Sequence, residues 1–259
     1  MTRTRTSLTG LALAALLPLA ACGSDDDTDG ETTDGGSTTL TVLAAASLTE
    51  TFTRLADEFE STHDGVTVEL AFDSSATLSQ QAVDGAPGDV LATADEATMQ
   101  TAVDGDVVDE GPETFATNVA VLVSPADNPA GITSFADLDD ATYVVCVDTA
   151  PCGKIAASLL DAGGITTAPA SLEVDVKAVL AKVTADEADA GIVYRTDAVA
   201  AGDEVTEIDI EGADEQPNVY PIATLEQSEN AHLAAEFLDL VLSDEGRQVL
   251  ADAGFGPPA

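Results

Sequence analysis

From Leu40 onward, short apolar runs alternate with stretches whose apolar residues recur every three to four positions. Leu40-Thr-Val-Leu-Ala-Ala45 reads as a β-strand, and the stretch from Leu48 to Glu60 as a helix with Phe52, Leu55, Ala56 and Phe59 on one face. Strands follow at Val66 to Phe72 and Asp89 to Ala94, with helices at Thr77 to Val83 and Glu96 to Val103. Past the Gly111-Pro112 loop the pattern predicts strands at Val119 to Val123, Tyr143 to Val147, Gly191 to Tyr194 and Val205 to Ile210, separated by helices near 153–162, 175–185 and 196–201. A strand from Val219 to Leu225 and helices from His232 to Leu242 and Ser243 to Ala253 complete the chain. Such alternation predicts an α/β fold with parallel sheets covered on both faces. In sheets of this kind ligands bind where strand C-termini meet helix N-termini.

Before Leu40 the pattern is of another kind. Arg3 and Arg5 precede an apolar stretch from Leu11 to Leu19, too short for a membrane-spanning helix, which needs about 20 residues, and suited to a signal peptide over 1–21. The ending Leu19-Ala20-Ala21-Cys22 resembles a bacterial lipobox, which implies cleavage, lipidation of Cys22 and a chain held at the outer face of the cytoplasmic membrane. The alternative is an ordinary cleaved signal with an incidental cysteine. Residues 22–37 carry Gly, Ser, Thr and acids with no aliphatic or aromatic side chain beyond Cys22, and are expected to form a disordered tether. No later stretch is apolar and long enough to cross a membrane, so the remainder is expected to be soluble.

Composition narrows the class of partner. A formal charge of −40, with only eight Lys and Arg, argues against nucleic acid and against anionic membrane surfaces. It fits a solvated acidic surface that keeps an exported protein dispersed. With Cys22 lipidated, Cys146 and Cys152 remain as a pair in an oxidising compartment, expected to form a disulfide, the alternative being two buried thiols. Two cysteines without a nearby histidine make a poor metal site, and no cofactor is expected.

Four strand-to-helix junctions carry small neutral donors. They are Ala44-Ala-Ala-Ser47-Leu-Thr-Glu50, Phe72-Asp-Ser74-Ser75-Ala-Thr-Leu78, Ala150-Pro151-Cys152-Gly153-Lys154 and Glu173-Val-Asp175-Val176-Lys177. Helix capping explains each alone: Ser47 and Glu50 have capping-box spacing, and Asp175 suits an N-cap. Pro151 suits a first helical position, and Gly153 is expected to let the backbone approach a ligand. Together the four offer unpaired N–H groups and partial positive charge to an anion.

The same blocks resemble one family. Ala44-Ala45-Ala46-Ser47-Leu48, Phe72-x-Ser74-Ser75-x-Thr77-Leu78, Gly85-Ala-Pro-x-Asp89, Ala94-Asp95, Asp175-Val176 and Gly191-Ile-Val-Tyr194 are similar, in order and spacing, to the extracytoplasmic molybdate-binding proteins of ABC importers. The resemblance runs from Leu40 to Phe255. It implies a two-lobed type II periplasmic-binding-protein fold with a hinge near Asn118 and Val219. One lobe is implied over 38–118 plus 219–259 and the other over 119–218. It implies a molybdate or tungstate ligand, held by Ser47 and Ser75, by the backbone N–H groups of Cys152 and Val176, and by the Tyr194 hydroxyl. It implies a membrane permease as partner, a monomer, and no catalysis. Departures are Cys152, where many relatives have alanine, and Ala76 in place of a third serine.

The chemistry is consistent with that implication. Charge-assisted hydrogen bonds contribute about 1.5–3 kcal/mol each, and five to seven of them can reach the roughly 12 kcal/mol of nanomolar binding after association costs. A donor-only site disfavours hydrogen phosphate, which brings a proton, but leaves sulfate as an alternative ligand. A small organic acid would want an arginine clamp, and Arg195, the one candidate, is expected at the surface. A serine hydrolase would need a base, and His63, in an expected turn, and His232, at a polar helix start, are expected near neither serine motif.

Overall fold

The computed structural model describes residues 37–259. The signal peptide, Cys22 and all but the last residue of the expected tether lie outside the described residues.

The chain folds into two lobes, each built on a five-stranded sheet. The first sheet has the order β2-β1-β3-β10-β4, from β1 (Thr38–Ala45), β2 (Val66–Asp73), β3 (Val90–Ala92), β4 (Glu113–Asn118) and β10 (Asn218–Thr224). The second has the order β7-β6-β8-β5-β9, from β5 (Ala120–Pro125), β6 (Tyr143–Cys146), β7 (Ser171–Glu173), β8 (Ala190–Tyr194) and β9 (Val205–Asp209). The sheets are mixed, not parallel throughout. β1 runs parallel to β2 and β3, and β6 to β7 and β8, but β10 is antiparallel to β3 and β4, and β5 to β8 and β9. The antiparallel strands are those adjoining the two passages between sheets, one through Val119 and one through residues 210–217.

Strand alternation explains why both faces of each sheet are covered. In the second lobe Val121, Val123, Val144 and Val193 point to one core, with Val179 and Val183 of α5 (Val176–Thr184). Leu122, Tyr143, Val145 and Ile192 point to the other, with Leu159 of α4 (Pro151–Ala162). The first lobe divides likewise. Leu40 and Val42 meet Phe52 and Phe59 of α1 (Thr49–Thr62) and Phe237 of α7 (Ala231–Leu242), while Leu43 and Leu91 meet Leu78 of α2 (Ser75–Val83) and Met99 of α3 (Glu96–Asp104). Each such side chain contributes about 1.5–3 kcal/mol by leaving water. α6 (Arg195–Ala201) and α8 (Asp244–Asp252) complete the α-helices of the described residues.

Two glycines fix how close a helix comes to its neighbours. A Cβ on Gly191 would lie 2.8 Å from Val179 and 2.9 Å from Val183, so α5 rests directly on β8. A Cβ on Gly153 would lie 1.9 Å from the Val147 carbonyl oxygen. Gly153 therefore serves the packing of α4 on the preceding loop. The same loop is closed by a disulfide between Cys146 and Cys152, with Cα atoms 5.7 Å apart. Asp89, from the Gly-Ala-Pro-x-Asp block, is buried and structural: it accepts from the Thr41 N–H at 2.6 Å and the Ser228 hydroxyl at 2.6 Å.

The lobes touch. Ala46, just past the end of β1, packs within the core of the second lobe with Val176 and Tyr194. Lys154 of α4 pairs with Asp95, the N-cap of α3, at 2.8 Å. Lys177 of α5 pairs with Glu50 of α1 at 2.8 Å and lies 3.0 Å from Asp197, whose side chain is fully buried in its own lobe. Burial works against the Lys177 charge, but Asp197 and Glu50 outweigh it and the net pKa is raised; burial pushes Asp197 up as well, against the opposing pull of Lys177.

Replacing Cys146 and Cys152 together by alanine should lower unfolding free energy by about 2 kcal/mol, the loop-closure contribution of so short a ring. Denaturant titration with and without reductant checks this. Mass spectrometry of the exported domain without reductant should show the two cysteines linked.

Lys177→Met should cost about 2–3 kcal/mol, because it leaves Asp197 buried beside no cation. The Lys177 pKa is raised on folding, so its contribution is complete below the ordinary value of 10.5 and lost as pH rises through the higher folded value. Urea unfolding should show the gap between wild type and variant at pH 8 and its narrowing only above about pH 10.5.

Candidate functional site

The C-terminal ends of β1, β2, β6, β7 and β8 face one cleft between the lobes, and the first turns of the following helices line it. Ser47, Ser75, Cys152, Val176 and Tyr194, brought from five separate junctions, all border the same small pocket there. It is small, about 20 Å³.

Each residue reaches the pocket for a local reason. Ser47 sits in a 3-10 turn (Ala46–Leu48) ahead of α1 and caps nothing; Glu50 turns to Lys177 instead, so the capping box does not form. The Ser47 Oγ lies 2.8 Å from the Tyr220 hydroxyl. Ser75 is the first residue of α2, and its Oγ accepts the Ala94 N–H at 2.9 Å, which leaves the serine proton free. Cys152 follows Pro151 in the first turn of α4, and Val176 opens α5 behind Asp175, whose carboxylate accepts from the Ala178 N–H at 2.8 Å. Backbone N–H groups in a first helical turn have no intrahelical acceptor, so those of Ser75, Cys152 and Val176 are open to a ligand. The partial positive ends of α2, α4 and α5 add to them.

Tyr194 closes the pocket from β8. Its hydroxyl is buried and has no hydrogen-bond partner among the described residues. Burial, reinforced by nearby Tyr220 and acidic residues, holds its pKa well above 10, so it stays a protonated donor. The Tyr194 N–H donates to Asp197 at 3.1 Å, which fixes the start of α6.

Acids near the pocket are turned into local bonds. Asp73 accepts from the Ser74 N–H at 2.6 Å, and Asp95 is held by Lys154 and by Thr98. Arg195 points elsewhere, pairing with Glu207 at 3.2 Å and Asp209 at 3.0 Å, as expected of a surface residue. Among the described residues, no group of three or more His, Cys, Asp or Glu is arranged to hold a metal ion.

Sequence reasoning missed the shell behind the pocket. Asn118, Thr196 and Tyr220 are all buried there and hydrogen-bonded to one another or to Ser47. Tyr220 lies in a strand whose alternation reads as plain core, and Asn118 ends a strand with no apolar pattern, so neither announces itself.

Three known proteins are similar to this chain over most of its length. The Mycobacterium tuberculosis molybdate-binding protein ModA is 39% identical over 254 residues, covering 96% of this chain and 97% of that protein. Among solved structures, the sulfate-binding protein SubI from Mycobacterium tuberculosis superposes with a TM-score of 0.74 at 20% identity, covering 85% of this chain and 87% of the other. The periplasmic molybdate-binding protein of Azotobacter vinelandii does so with a TM-score of 0.73 at 19% identity, covering 85% and 100%. At such identities the two structures speak to the fold alone, whereas the sequence match to the family of bacterial extracellular solute-binding proteins runs over residues 40–256. From one lobe through both crossings and back, this chain belongs to that family.

Proposed function

We propose that the protein captures a fully deprotonated tetrahedral oxyanion, molybdate or tungstate, outside the cell and delivers it to the membrane permease of an ABC importer. The observation that carries the reading is the Tyr194 hydroxyl, a buried donor with no partner among the described residues, lining the pocket that Ser47, Ser75, Cys152 and Val176 also border. Leaving a buried hydroxyl unpaired costs about 1–3 kcal/mol, and a bound anion recovers it. The relationship to ModA, 39% identical over nearly the whole chain, supports molybdate in particular. The passages at Val119 and residues 210–217 serve as the hinge on which the lobes part to admit the ligand. Cys22 carries the lipid that keeps the exported protein at the membrane, and it works as a monomer. His63 stacks on Phe59 and His232 pairs with Glu236, so neither histidine supplies Ser47 or Ser75 with a base, and the site binds without catalysing.

A pocket lined by hydrogen-bond donors suits sulfate as well, which is the second reading. Calorimetric titration decides between them. Molybdate and tungstate should bind with sub-micromolar affinity and sulfate about 100-fold more weakly, a difference of about 2.7 kcal/mol. Equal affinities for sulfate and molybdate would overturn the assignment.

Tyr194→Phe keeps the ring and removes one charge-assisted bond. Molybdate affinity should fall about 10- to 150-fold. The melting temperature of the ligand-free protein should not fall, since the hydroxyl has no partner there to lose. Unchanged affinity would remove Tyr194 from the site.

A further inference from the structure

Two lysines cross between the lobes, each joining two turns that border the pocket. Lys154, near the start of α4 and two residues past Cys152, reaches Asp95 at 2.8 Å. Asp95 is the N-cap of α3 and follows Ala94, which lines the pocket. Lys177, next to Val176 in the first turn of α5, reaches both carboxylate oxygens of Glu50 at 2.8 Å. Glu50 lies in the first turn of α1, three residues past Ser47. Among the described residues these two pairs join one lobe to the other, and the remaining ion pairs fall within a lobe. None of the four side chains lines the pocket itself. Each lobe carries several times more acids than cations, so the lobes repel as they approach, and these pairs oppose that repulsion where the cleft closes.

A ligand gripped from both lobes binds their closed arrangement, so whatever favours closed over parted lobes raises its affinity. An ion pair made only when the lobes meet does this without touching the ligand. We infer that Glu50 and Asp95, paired with Lys177 and Lys154, are positioning residues that latch the lobes around the anion and strengthen its binding despite their own negative charge. This rests on the oxyanion reading above and extends it from the residues that touch the ligand to those that hold the cleft shut. The sign of the effect sets a latch apart from a mere neighbouring charge. Asp95 lies near enough to Tyr194 to help raise its pKa, so as a bare charge it repels an anion in the pocket. Neutralising a bare charge tightens anion binding, whereas opening a latch loosens it.

The test is calorimetric titration of acid-side variants with molybdate as the probe. Asp95→Asn keeps an N-cap for α3 and removes the charge that Lys154 meets. Glu50→Ala leaves Lys177 its pair with Asp197 in the second lobe. Melting temperature reports that the fold persists in each. Each variant should weaken molybdate about two- to fivefold, the range of partly exposed ion pairs, and the double variant by about the product of the two. In a Lys154→Met background Asp95→Asn should no longer weaken molybdate and should instead tighten it, because only the repulsion is left to remove. Unchanged or tighter binding in either single variant would overturn the latch at that pair. An equal loss from Asp95→Asn with and without Lys154 would overturn it as well. A wild-type protein that binds no tetrahedral oxyanion would instead overturn the reading beneath it.

Discussion

A hydroxyl taken out of water without a partner is unfavourable by about 1–3 kcal/mol, and the Tyr194 hydroxyl is held in that state. Much of the surrounding architecture is what keeps it there. Gly191 lets α5 rest on β8, which fixes the strand that ends in Tyr194 and brings the start of α5 to the same pocket. Asp197 anchors the Tyr194 backbone, and Lys177 neutralises Asp197. Native proteins tolerate such an unmet group where it serves a function, and here it is met by a ligand that brings acceptors.

The charge of the molecule sharpens the same point. With −40 formal charges, a pocket for an anion cannot rely on the field of the whole protein, and it does not. Acids beside it are capped, paired or hydrogen-bonded, and its polarity comes from backbone and hydroxyl dipoles fixed at short range. Salt screens the distant acids beyond about 8–10 Å, whereas a desolvated contact is screened far less. Two of the few cations, Lys154 and Lys177, sit in α4 and α5, the helices that carry Cys152 and Val176, and reach across to acids of the facing lobe.

How much of this was legible in the sequence depends on how local each feature is. The helices and eight of the ten strands follow apolar periodicity, and the candidate site was legible because each donor sits at a strand-to-helix junction with its own short motif. β4, with the sequence Glu-Thr-Phe-Ala-Thr-Asn, and β7, with Ser-Leu-Glu, escaped notice. The first is too polar to alternate, and the second spans three residues with Leu172 exposed. Strand direction escaped as well: β10 is antiparallel because of where the chain re-enters the sheet, which no local pattern encodes. The packing role of Gly153 was not legible, because a glycine beside a ligand and a glycine beside a carbonyl look the same in one dimension.

The position of β10 has a consequence for how the protein is made. It lies between β3 and β4, so until Asn218–Thr224 exists the first sheet is two unconnected pieces, β2-β1-β3 and a solitary β4. The second sheet draws all its strands from the contiguous span 120–209 and lacks nothing by the time Asp209 has been added. Since domains fold as units once their residues are present, synthesis begins with the first lobe but completes the second one earlier. The N-terminal strands must wait, with their edge at β3 unpaired, until the chain has passed through the whole second sheet.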